Sequence, residues 1–161
     1  MDISSGSDYE KLVAEIASGI MGKASNIADD YDLCSGHSCC IEGASGHLHQ
    51  IDVAIEIQKK LYIIECKCWN KKVPIDQMLV FLGRVVDIRD HSDKDIIPIF
   101  VTTKGYDLGA QLIASKYGIT THIVKDANEF AIEIAGNLAV GICGVNAEAR
   151  IGRVTVITDN T

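Results

Sequence analysis

Residues 50–57, QIDVAIEI, alternate without a break. Ile51, Val53, Ile55 and Ile57 fall on one side of an extended chain, and Asp52, Ala54 and Glu56 on the other. That period fits a half-buried strand and excludes a helix, whose apolar residues would recur every three to four positions. A second apolar stretch, LYIIECKC at 61–68, follows after only Gln58-Lys59-Lys60, so the two read as an antiparallel hairpin. With the turn centred between Gln58 and Lys59, Asp52 stands opposite Glu65, Cβ atoms about 5 Å apart. Glu65 and Lys67 share one strand face, whereas Tyr62, Ile64 and Cys66 take the other.

Two carboxylates opposed in a sheet repel, and partial burial raises the cost. A divalent cation offsets it. Mg²⁺ takes oxygen ligands, commonly one or two carboxylates with waters and substrate phosphates. The backbone carbonyl of Cys66, or those just before Glu65, could complete its shell. Lys67 would then stand beside a metal-bound water or a phosphate and stabilise developing charge. Glu-X-Lys is also ordinary in an exposed strand, so this reading asks for a metal and a phosphate to complete it.

The rest of the chain alternates helices with strands. Residues 8–21 place Leu12, Ile16 and Ile20 at helical spacing, with Ser7 or Asp8 as cap. Residues 23–48 lack periodicity and suit loop with short strands. Pro74 fits a first helical position, opening a helix over 74–89. A buried-type strand follows at 96–102, then a helix over 106–117 stopped by Gly118. Residues 119–126 suit another strand, 127–140 a helix and 153–158 a last edge strand. The order implies an α/β fold whose sheet is covered on both faces, in one domain of 161 residues.

Net charge is −7, which argues against a broad nucleic-acid surface. Residues 58–72 nevertheless carry five lysines against Glu65 alone, so any polyanion contact would be local. No basic segment leads into an apolar one at the N-terminus, and no uncharged run approaches the ~18–20 residues of a membrane span. A soluble cytoplasmic protein with reduced thiols is the expectation for its six cysteines. CSGHSCC at 34–40 raises zinc, but no second ligand pair follows at finger spacing.

Asp52…Glu65-Cys66-Lys67 resembles the signature of the PD-(D/E)XK nucleases, although Ile51 stands where the name expects proline. The surroundings are similar to the Mrr-type restriction endonuclease branch and to archaeal Holliday-junction resolvases. DYEKLVAEI at 8–16 resembles the family's opening helix, with Glu10 as its acidic residue. GHLHQIDV at 46–53 resembles the lead-in to the metal-binding aspartate. Gln77 resembles the downstream glutamine, and IFVTTKGYDLGAQLIASKYGI at 99–119 the strand, Thr-Thr turn and helix.

The resemblance implies a restriction-endonuclease-like fold, a central mixed sheet flanked by helices on both faces. It implies a metal-dependent DNA endonuclease using Mg²⁺ or Mn²⁺. Asp52 and Glu65 would hold the metal with the Cys66 carbonyl, and Glu10 through water. Lys67 would be base or charge stabiliser, and Gln77 would orient it or a phosphate. Lys71, Lys72, Thr103 and Lys104 would contact DNA, the last two from a sheet end and helix start that favour phosphate. Trp69 could stack on a base, although a lone tryptophan after a strand usually packs. His47 and His49, in phase with Ile51, would face away from Asp52. Cutting two strands is easiest for a homodimer, and without a recognition domain a partner chain would supply specificity. The alternatives are a nuclease-fold DNA-binding or accessory module with little turnover, and a zinc- or redox-linked interaction protein built on CSGHSCC.

Overall fold

The computed structural model describes residues 13–19 and 31–124. Its strands are β1 (Asp32–Ser35), β2 (Cys40–Glu42), β3 (Leu48–Gln50), β4 (Val53–Ile57), β5 (Lys60–Lys67), β6 (Asp95–Thr102) and β7 (Thr120–Ile123). Residues 13–19 form helix α1, followed by α2 (Ile75–His91) and α3 (Leu108–Tyr117). Five strands make one sheet in the order β1-β4-β5-β6-β7, and β2 and β3 pair as a separate ribbon.

The hairpin register is the one that a turn at Gln58-Lys59 dictates. Val53 pairs with Ile64 and Ile57 with Lys60. Gln58 takes a φ of 57°, as a two-residue hairpin loop needs. β5 then pairs parallel with β6, Lys67 opposite Thr102, and β6 parallel with β7. Parallel neighbours require crossovers, which α2 and α3 supply. The sheet is therefore mixed, antiparallel on one side of β5 and parallel on the other.

Strand alternation sorts the core into two layers. Val53, Ile55, Ile57, Tyr62, Ile64 and Cys66 pack against Val13 and Ile16 of α1. Leu61 and Ile63 pack against Met78, Phe81, Val85 and Ile88, a three-to-four spacing along α2, and against Ala110 and Ala114 of α3. Helices thus cover both faces. Asp107 caps α3 by accepting the Ala110 N–H, and Gly118 ends it in the left-handed conformation. α2 begins one residue later than expected, with Pro74 at the capping position.

Three expectations are corrected. The strand starts at Val53, not at residue 50, because the chain bends at Asp52. The Ile51 N–H donates to the Cys39 carbonyl (2.9 Å), and the Gly36 N–H to the Asp52 carbonyl (3.0 Å). Ile51 therefore joins the α2 layer instead of the layer of Val53. His49 belongs to the β2–β3 ribbon, so it shares no strand with Asp52. Cys34 and Cys39 form a disulfide, whereas Cys40, Cys66 and Cys68 are thiols. The 3₁₀ turn Gly36–Ser38 brings the two paired Cα atoms to 5.2 Å, within bridging range. Glu10, Cys143, the helix expected at 127–140 and the strand expected at 153–158 lie outside the described residues. Among the described residues no helix is long and apolar enough to cross a membrane.

Candidate active site

A ladder continued past Val53 would set Ile51 opposite Cys66. The bend removes Ile51, and the Asp52 carboxylate takes its role, accepting the Cys66 N–H at 2.8 Å from Oδ2. In an extended strand the N–H and C=O of one residue point to the same side. The Cys66 carbonyl is therefore turned toward Asp52 as well. By this alternation the Asp52 carboxylate and the Cys66 carbonyl lie on the same side of β5, where β4 has ended.

Glu65 lies one residue before, on the opposite face, with 5% of its surface exposed. Its Oε1 is 2.7 Å from Lys67 Nζ, and its Oε2 is 3.0 Å from a guanidinium nitrogen of Arg84 on α2. Burial raises the Glu65 carboxyl above its usual range and the charge of Asp52 raises it further, while Lys67 and Arg84 pull it down. The buried Cys66 thiol is pushed well up, first by burial and then by the Asp52 and Glu65 charges. It is a packing residue, inert as a nucleophile.

Arg84 is absent from the sequence expectations. One signal bears on it: of the two arginines in this apolar helix, Arg84 and Arg89, Arg84 falls seven residues after Gln77 and so on the same stripe two turns along. Gln77 itself is half-buried in the first turn of α2.

The four expected DNA contacts share one platform. Lys71 and Lys72 follow β5, and Thr103 and Lys104 follow β6. The Val73 N–H donates to the Gly105 carbonyl (2.9 Å) and the Asp107 N–H to the Val73 carbonyl (3.0 Å), zipping the two loops together. Thr103 Oγ1 donates to the Trp69 carbonyl (3.2 Å), and Lys71 Nζ sits 5.3 Å from the Trp69 ring centroid. Trp69 is thus tied into the platform. The lysine run of 58–72 is not one patch, however. Lys59 and Lys60 lie at the hairpin end of β5, roughly 23 Å from Lys67 at strand rise.

His49 Nε2 is 2.6 Å from Asp87 Oδ2, and Ser45 donates to the same carboxylate through Oγ (2.7 Å) and N–H (2.9 Å). These bonds fasten the ribbon to α2. They give His49 a structural partner.

By chemistry the Asp52–Cys66–Glu65 donors suit a hard divalent cation, since all are oxygens. Among the described residues no three His, Cys, Asp or Glu side chains converge as a metal cluster. A cation here would complete its shell from backbone, water and substrate, and would compete with Lys67 and Arg84 for Glu65.

No protein-family profile matches the chain, and no curated protein matches it. Among solved structures it is similar to the protein of unknown function AF1548, at 20% identity and a TM-score of 0.52, over 76% of this chain and 67% of that one. It is also similar to a repair endonuclease from Pyrococcus abyssi (15% identity, TM-score 0.49, 70% of this chain and 46% of that one). A third is the MspJI restriction endonuclease, solved with a 27-mer oligonucleotide (12%, 0.41, 92% and 38%). The chain spans less than half the length of either endonuclease. The likeness to AF1548 is one of fold.

Proposed function

We propose that the chain is a metal-dependent DNA endonuclease of restriction-endonuclease-like fold, close to the Mrr and Holliday-junction-resolvase branch. The observation that supports it is the convergence at the end of β5. Asp52 is held by the Cys66 N–H, while Glu65 is held between Lys67 and Arg84.

Asp52, Glu65 and the Cys66 carbonyl would hold Mg²⁺ or Mn²⁺, with Glu10 reaching it through water. Once bound, the ion supplies Lewis acidity and a water of lowered pKa. Lys67 keeps its ammonium beside the position of the scissile phosphate and stabilises the charge that grows there. Arg84 anchors the second Glu65 oxygen and so fixes the direction of the first. Gln77, on the same stripe of α2, orients a phosphate or Lys67. Lys71, Lys72, Thr103 and Lys104 carry the DNA backbone past the site. Cutting both strands takes two such sites, which a homodimer would bring, and a partner chain would add recognition.

The test is incubation with supercoiled, linear and branched DNA in Mg²⁺ or Mn²⁺, beside Asp52→Ala and Lys67→Ala. Each substitution should lower cleavage on the order of 10²–10³-fold. Cleavage that survives both sinks the assignment. One observation favours a second reading, a DNA-binding module with little turnover: both Glu65 oxygens already have cationic partners. Absence of cleavage on every substrate, with DNA binding intact, would favour it.

A further inference from the structure

Beyond Lys67, the platform opens into a cavity of about 540 Å³ between the loops after β5 and β6, the first turn of α3 and strand β7. That volume is within the range of ligand pockets, roughly 300–1,000 Å³. Its lining includes Lys72, Lys104, Gln111, Thr121 and Ile123, and no carboxylate. In a chain of net charge −7 this is an unusual wall. Among the described residues neither lysine has an ion-pair partner. Two ammonium groups facing one cavity repel, and an anion between them removes the repulsion.

The remaining walls say what the anion carries. Gln111 donates its amide N–H to the Tyr106 carbonyl (3.0 Å), which leaves its oxygen as an oriented acceptor. Thr121 adds a hydroxyl. Ile123, 60% exposed, is an apolar surface at the same opening. A bare phosphate would use the lysines and leave the rest of the space empty.

We infer that this cavity binds one unstacked nucleotide, its phosphate between Lys72 and Lys104, its base against Ile123 and its polar edge at Gln111 and Thr121. The inference rests on the cavity's own lining. Where the nuclease reading also holds, Lys104 stands two residues past Thr102, the register partner of Lys67. A strand at Lys67 could then leave an unpaired neighbouring nucleotide in the cavity, which implies a preference for strand ends or unpaired segments.

The experiment is a calorimetric titration of the full chain, without metal, using thymidine 5′-monophosphate, thymidine and inorganic phosphate in turn. Fluorescence of Trp69, the single tryptophan, reports on the platform. The monophosphate should bind at least tenfold tighter than either fragment. Lys72→Ala and Lys104→Ala should each weaken it roughly tenfold. Lys116→Ala, on the exposed side of α3, should leave it unchanged. Phosphate binding as tightly as the nucleotide would overturn the inference, as would nucleotide binding that ignores both lysines, or no binding. Binding that falls instead with Asp52→Asn would move the ligand to the catalytic centre and overturn it too. Loss of cleavage with nucleotide binding intact would count against the nuclease reading alone.

Discussion

Glu65 has both oxygens occupied by cations while burial and Asp52 press it toward its neutral form. Arg84 is one of two groups opposing that pressure. Removing it raises the Glu65 carboxyl further, so less of it is ionised at a given pH. If ionised Glu65 is required, Arg84→Ala should shift the acid limb of the cleavage profile to higher pH, and Arg84→Lys should restore part of the shift. A pH profile of kcat/KM checks this, and an unmoved acid limb would contradict it. The same variant should cost about 1–2 kcal/mol in urea unfolding, since Lys67 still partners Glu65. At this scale the strand residues were legible and the helix residue was not. Parity along β5 puts Glu65 and Lys67 on one face, whereas Asp52 leaves the ladder at the bend and reaches β5 through the Cys66 N–H instead of standing opposite Glu65. Arg84 reaches Glu65 across layers, and spacing within a helix does not reveal how that helix is rotated against the sheet.

Among the elements, the loop between β1 and β2 acts on the site through backbone. Its Gly36 and Cys39 bond to the peptides of Asp52 and Ile51, and the Cys34–Cys39 disulfide closes that loop. Cys34→Ser should cost up to about 2 kcal/mol by loop entropy. It should also lower cleavage by loosening Asp52. Denaturation with and without a dithiol reductant reads the first effect, and a wild type insensitive to the reductant would argue against it. The sequence did not betray this loop, because a run of three cysteines and a histidine does not encode which pair closes. The bend at Asp52 was hidden for a related reason: the alternation of QIDVAIEI continues straight through it. The β2–β3 ribbon has its own fastening. Its hydrogen bonds from Ser45 and His49 lower Asp87 from the usual 3.8 to about 2. A carboxyl depressed in the fold stabilises it above the unfolded value, and that stability fades as pH falls from 3.8 toward 2. The stability gap between wild type and Asp87→Asn should therefore be full above the unfolded value of 3.8 and close as pH falls toward 2. A gap that stays constant with pH would show that Asp87 contributes by packing alone.

For the whole molecule, charge and topology act together. Parallel pairing carries the ends of β5 and β6 to one edge, so Lys67, Lys71, Lys72 and Lys104 gather there although Lys104 is distant in sequence. The same topology sends Lys59 and Lys60 to the opposite edge, where Lys94 already pairs with Glu56 at 2.6 Å. The order of helices and strands made the mixed sheet legible, yet the lysine run looked like one patch because sequence proximity hides the length of a strand. The consequence is measurable. About four lysines can neutralise phosphates, so the logarithm of DNA affinity should fall against the logarithm of salt with a slope of about −3 to −4. Binding of a short duplex in chelator from about 50 to 200 mM salt gives the slope. A value of about −5 or steeper would require Lys59 and Lys60 as well, and would mean that DNA wraps both edges of the sheet instead of crossing one.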